Sequence, residues 1–291
     1  MIIGLLMLAG GAAAGVFGSL LGLGGGILIV PLLTIGFGLD LRAAVGVSLV
    51  CVIMTSSAAA GVYLERHVAN LRLGMTLELF TAIGALVGGS IAFLLDERLL
   101  SVLFAGLLLY VAFTMARARA TEAAETPPVT EPASDDPTDL AATADPAAAP
   151  TVDVGRREAI LAELSGADYA VRNLGRGIAG SAGAGVTSAL LGIGGGIIKV
   201  PLMHLAMGVP LRVATATSNL MIGITAAASA VIYLLRGEID PYVAGPTAIG
   251  VFLGATVGSR IAPRINVRWL RLTFVVVLAF TALQMLLRAL G

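Results

Sequence analysis

Twice in 291 residues the chain writes a glycine cluster with a proline five residues beyond it. The first is Gly22-Leu23-Gly24-Gly25-Gly26 before Pro31; the second is Gly192-Ile193-Gly194-Gly195-Gly196 before Pro201. Glycine loses the most backbone entropy on ordering and has no side chain to pack, so each cluster should stop one helix and start another. The first N–H groups of the new helix lack an intrahelical acceptor and carry the positive end of its dipole. Gly24, Gly25 and Gly26, brought against Gly194, Gly195 and Gly196, would therefore cradle an anion. On a purely structural reading, the same glycines only let helices approach closely.

Lys199, the only lysine in the chain, follows the second cluster among apolar residues. An ammonium at the centre of a membrane helix costs roughly 2.5–3.5 kcal/mol on insertion scales, so it is normally paired or functional. Two roles are open to it: contact with a negative solute, or a structural pair with Glu78, about two turns into its own apolar segment. Solute contact is the expectation. The stretch Ala214-Thr215-Ala216-Thr217-Ser218-Asn219 adds hydroxyls and an amide, and Ser48 matches Ser218 in the first half. Ser48, Thr217, Ser218 and Asn219 could donate to oxyanion oxygens or bond back to their own helices. Glu78 and His204 are the candidate proton carriers, although a lone histidine in an apolar segment is more often packed and satisfied.

These residues stand in a chain that is 57% hydrophobic and 12% charged, the composition of an integral membrane protein. Its two halves align without a gap at an offset of 170; between Leu21–Ser48 and Leu191–Ser218, 14 of 28 positions are identical. The register extends through Arg42/Arg212, Tyr63/Tyr233, Arg66/Arg236, Gly84/Gly254 and Gly88/Gly258, so a whole unit is duplicated. Each unit reads as two short apolar segments flanking the glycines, then three long ones that can each span the roughly 20 residues a bilayer requires. The segments fall near 2–21, 26–38, 43–63, 72–95 and 98–117, and near 176–191, 196–208, 212–235, 241–262 and 268–290. Short glycine-interrupted segments at matching places in two halves are a pointer to a transporter site. If each short pair is a hairpin, the units cross an odd number of times and are inverted. The arginines then divide 13 to 4 between the two sides, against 10 to 7 for parallel repeats. The expected fold is thus all-α, with two inverted repeats at 1–121 and 172–291, the central loop cytoplasmic and both termini outside.

The 122–171 segment between the repeats has no counterpart in the first half. It holds eleven of the 18 acidic residues and is rich in Pro, Ala and Thr, the composition of a solvated tether. Arg156–Val171 could form a short amphipathic helix. A formal net charge of zero gives no footprint for nucleic acid, and the single Cys51 excludes an intramolecular disulfide framework. No Cys/His cluster suggests a metal, and no cofactor is implied. Gly22 to Ile27 is not a dinucleotide loop, because Ile27 stands where glycine is needed and no βαβ context exists. A Ser188 or Ser218 hydrolase built with Lys199 has nothing in the sequence to position it, so the chain is not expected to be an enzyme.

The paired glycine motifs with Pro31 and Pro201, and Ala216-Thr217-Ser218, are similar to those of the sulfite exporter TauE/SafE family. The first half keeps the latter only as Gly46-Val47-Ser48. The resemblance implies a prokaryotic inner-membrane protein that moves sulfite, sulfonates or related small anions. Loss of a threonine at Val47 and gain of Lys199 imply a site dominated by the second half. The expected function is a secondary transporter for a small anion, most simply an exporter, working by alternating access with protons as candidate coupling ions. An anion channel or a membrane anion sensor is the alternative. The expected partners are the anion and the lipid bilayer, and a homodimer is left open.

Overall fold

A computed structural model describes residues 2–21, 25–65, 69–122, 164–165, 169–261 and 267–290, and every element longer than a single bridge among them is helical. The first unit comprises α1 (Ile2–Leu21), α2 (Gly26–Pro31), α3 (Leu41–Glu65), α4 (Leu71–Ala92) and α5 (Glu97–Glu122). The second comprises α6 (Leu174–Leu191), α7 (Gly196–Pro201), α8 (Leu211–Leu235), α9 (Pro241–Ile261) and α10 (Val267–Leu290). Both short helices pass through their proline into a wider π-helical turn, Leu32–Gly36 and Leu202–Ala206. Among the described residues six helices are long and apolar enough to cross a membrane: α1, α3, α4, α5, α8 and α9. Their exposed faces carry large apolar side chains, among them Leu79, Ile83, Phe113, Leu234 and Phe252.

The short segments are arms that fold back. In the second unit the chain runs along α6, breaks at the glycines and returns along α7. Arg172 N–H then donates to Met207 O at 3.0 Å, and Asn173 Nδ2 to Ala206 O at 3.1 Å. A Cβ added to Gly177 would meet the Met207 side chain. In the first unit Leu32 likewise lies against Gly10. In the second unit the arm therefore ends where its hairpin began, and in the first the arm lies back along α1.

Glycines set the closest helix contacts, and they do so in matched pairs. A Cβ on Gly84 would overlap the carbonyl oxygen of Ala182, and one on Gly254 that of Ala12. Gly88 and Gly258 lie equally close to Val186 and Val16. Thus α4 runs alongside α6, and α1 alongside α9, in the same direction in each pair, so each unit's first helix packs on the other's fourth. Backbone contact at this distance is what a glycine stripe makes available to helices without bulky ridges.

At the centre α3 and α8, equivalent helices of the two units, run antiparallel. Gly46, near the start of α3, lies against Tyr233 near the end of α8, and Ser56 Oγ donates to Asn219 O at 2.6 Å further along. Arg42 and Arg236 stand 5.8 and 5.1 Å from the Phe93 ring centroid, which places the start of α3 beside the ends of α4 and α8. At the opposite end Asn70, which caps α4 by accepting from Leu73 N–H, donates its own N–H to Thr217 Oγ1 at 2.9 Å. Asn70 Nδ2 also donates to Leu164 O and Tyr169 Oη, so the last part of the 122–171 segment is tied to this corner. The body of that segment, including most of Arg156–Val171, lies outside the described residues.

Candidate functional site

The two glycine breaks meet. A Cβ added to Gly26 would stand 2.7 Å from the carbonyl oxygen of Gly192. Ser48, wholly buried on α3, places its hydroxyl 2.8 Å from Gly192 O and 3.2 Å from Gly26 O, so one proton is shared between the breaks. Gly194 packs on Val52 of α3 and Ile222 of α8, which locates the second break between the two central helices.

Gly25 and Gly195 cap the arms in the left-handed region, at φ 75° and 73°, a conformation that costs an L-residue with a Cβ about 1 kcal/mol or more. Their carbonyls accept from the third and fourth amides onward: Leu28 and Ile29 in one arm, Ile198 and Lys199 in the other. The amides of Gly26, Ile27, Gly196 and Ile197 therefore fall in first turns, where no helical acceptor precedes them. The surrounding hydroxyls are of two kinds. Ser48 is engaged, whereas Ser188 and Ser218 are buried with no hydrogen-bond partner among the described residues. Ser218 Oγ lies 3.6 Å from where a Gly196 Cβ would stand, and Ser188 borders Gly195. Unsatisfied buried hydroxyls are uncommon and call for a function.

Lys199 rises from the second arm and, like any helical side chain, leans toward the N-terminus of its helix. Its Cε comes within 3.6 Å of the Gly195 Cβ position, which brings the stem back over the break. The ammonium is 1% exposed and is paired, donating to Glu78 Oε2 of α4 at 2.9 Å and to Thr225 Oγ1 of α8 at 2.5 Å. Thr225 in turn donates to Glu78 Oε1 at 2.6 Å. In this conformer, then, Lys199 makes the pair with Glu78 that was the alternative to solute contact. Two of its three N–H donors are spent on that triad.

The residues match a family model, Sulfite exporter TauE/SafE, from position 7 to position 285. The chain belongs to the TauE/SafE sulfite exporter family. This TauE/SafE chain is 24% identical over 287 residues to the probable membrane transporter protein YunE of Bacillus subtilis (strain 168), covering 95% of the chain and 94% of that relative. It is 32% identical over 102 residues to sulfite exporter TauE/SafE family protein 6 of Arabidopsis thaliana, covering 35% of the chain and 24% of that protein. No solved structure matches it. Membership makes the protein a multi-pass membrane transporter. Because one relative is a plant protein, membership alone does not carry the expectation of a prokaryotic inner membrane.

Against this geometry the expected site residues divide. Gly25, Gly26, Gly194, Gly195, Gly196, Ser48, Ser218, Lys199 and Glu78 gather around the breaks; Gly24 lies outside the described residues. Thr217 faces away and serves the start of α4, and the backbone of Asn219 is bound by Ser56. His204 sits exposed at the far end of its arm with Nδ1 donating to Val209 O at 2.9 Å, separated from the Glu78 pair. Thr225 is new to the site, and Ser188 enters it beside Gly195 in place of the hydrolase role weighed from the sequence. Thr225 had a signal, since it repeats as Thr55 at the offset of 170.

Proposed function

We propose that the chain is a secondary transporter that exports a small anion, such as sulfite, a sulfonate or a related oxyanion, by alternating access around the two glycine breaks. The observation that carries this reading is their convergence at Ser48, with first-turn amides from two opposed arms brought to one buried place. Helix termini that meet at the middle of a membrane are the usual means of holding a substrate anion. The candidate contacts are the amides after Gly24–Gly26 and Gly194–Gly196, the hydroxyls of Ser48 and Ser218, and the Lys199 ammonium once it is released from Glu78.

The antiparallel packing of α3 on α8 supports repeats inverted across the membrane, with arms that re-enter from opposite faces. Together with the arginine distribution it supports a cytoplasmic central segment with both termini outside. An interior-negative potential favours outward movement of an anionic charge by about 2.3 kcal/mol per 100 mV. Counterflow in proteoliposomes tests the reading: preloaded sulfite or sulfoacetate should accelerate uptake of the labelled anion and saturate. Ohmic currents would indicate a channel. Binding without flux would indicate a sensor, and either result would replace the carrier.

A further inference from the structure

The Lys199–Glu78–Thr225 triad has an internal control. At the offset of 170, Thr225 corresponds to Thr55, Lys199 to Ile29 and Glu78 to Ala248. In the first unit Ile29 Cδ1 comes within 4 Å of the Gly25 Cβ position, as Lys199 Cε does at Gly195, and Thr55 Cγ2 lies beside it. Ile29 is wholly buried and Ala248 is 6% exposed. The positions that hold an ion pair in the second unit thus hold two buried apolar residues in the first. Since the first copy folds without charge, packing does not require the second copy to carry it. A buried ion pair is weak evidence for stability and often no better than apolar residues of the same volume.

We propose that this triad is the coupling site of the transporter, where a proton taken up by Glu78 frees Lys199 to hold the substrate anion. The inference rests on the anion-transport reading above and deepens it. Glu78, Lys199 and the Thr225 hydroxyl face one another from α4, α7 and α8, and the α6 wall adds Ser188, which does not titrate. No other carboxylate, histidine or basic group makes an ion pair or hydrogen bond with the triad among the described residues. In the empty state the ammonium and carboxylate cancel, so the pair holds no net charge for an anion to find. A proton from solvent binds a Glu78 oxygen, the Nζ–H···Oε2 contact opens, and Lys199 keeps its own proton and its charge. The anion then accepts the hydrogen bond that Glu78 has released. No covalent bond beyond that O–H forms, and no electron moves.

Charge balance explains why the two ligands travel together. Uncompensated charge is costly inside a membrane protein, so a monoanion beside Lys199 is tolerated only when Glu78 is neutral. One proton therefore accompanies each anion. A monoanion then crosses with no net charge and leaves down its own outward gradient, whereas a dianion still carries one net charge that the interior-negative potential drives outward. A dianion brings one charge more, and two helix N-termini worth about +0.5 each can offset it. Thr225 is the positioning residue. It accepts from Lys199 and donates to Glu78, keeping the two oxygens of the carboxylate distinct.

The test uses the full chain in proteoliposomes with a trapped pH dye and whichever of sulfite, sulfoacetate and thiosulfate the wild type moves. Anion and proton should move together in the wild type. Glu78→Gln should lose net proton-linked flux by about tenfold or more, the share a single positioned proton carrier supplies, while anion–anion counterflow persists. A merely structural pair would lose both activities together. K199I/E78A, which copies the first unit's residues, should insert and fold yet carry neither activity. Thr225→Val should shift the pH profile of flux at constant expression. Wild-type anion flux with no proton movement, or Glu78→Gln with normal proton-linked flux, would overturn the coupling site and leave the transport reading standing. A wild type that moves none of the three anions would overturn both.

Discussion

Replacing Lys199 and Glu78 singly and together tests whether their pair is as deeply enclosed as the structure has it. Lys199 is 1% exposed and Glu78 3%, so neither charge has water to fall back on. Removing one partner of a buried pair leaves the other uncompensated, at a cost of about 3–5 kcal/mol. An exposed pair would lose about 1 kcal/mol or less. Lys199→Ile alone and Glu78→Ala alone should each destabilise by about 3–5 kcal/mol. The double variant removes both charges and installs residues that already pack at Ile29 and Ala248. It should therefore lie within about 1–2 kcal/mol of wild type, leaving a coupling energy of several kcal/mol between the sites. Reversible unfolding in mixed detergent micelles measures all four corners of the cycle. Single variants that cost less than about 1 kcal/mol would show a solvated pair. A double variant as unstable as the sum of the singles would refute the claim that the frame accepts an apolar pair.

Three further outcomes follow from particular contacts. Gly84→Ala and Gly254→Ala, whose new methyls would overlap the carbonyls of Ala182 and Ala12, should each destabilise by about 1–3 kcal/mol. Gly106→Ala and Gly183→Ala, which meet nothing within 4 Å, should be neutral or slightly stabilising in the same unfolding assay. Ser48→Ala should cost about 1 kcal/mol for the lost hydroxyl between the breaks and should raise the KM for anion flux more than it lowers the maximal rate. His204→Gln should leave proton-linked flux unchanged, because the ring already donates to Val209 O at the exposed end of its arm. Loss of coupling in that variant would return His204 to the proton path.

Much of the fold was legible because the glycine clusters and the duplication are local, strong signals. The segments read near 26–38 and 196–208 are the arms Gly26–Gly36 and Gly196–Ala206, and the long segments agree with their helices to within a few residues. Gly84 and Gly88, repeated as Gly254 and Gly258, carry the small-residue spacing of a packing face, and they lie among the closest helix contacts. The site was less legible because side-chain partners depend on tertiary placement. Two roles for Lys199 were stated, and only the three-dimensional meeting of α4, α7 and α8 decides that Glu78 and Thr225 hold it in this conformer. Thr217 and Asn219 shared a polar stretch with Ser218, but 100° of helical rotation per residue turns Thr217 toward the start of α4. A contiguous stretch in sequence is not a contiguous face on a helix.

The most direct measurement of the central claim, an anion held where the breaks converge, is thermal unfolding of purified protein against sulfite, sulfoacetate, thiosulfate and simple carboxylates. A ligand at a hundred times its dissociation constant stabilises by about 2.7 kcal/mol. At least one sulfur oxyanion should stabilise the wild type saturably. Gly196→Ala should fold yet lose most of that gain, because its methyl would stand among Ile222 and Ser218 beside the first-turn amides. No stabilisation by any of these anions, or equal stabilisation of the variant, would contradict the account.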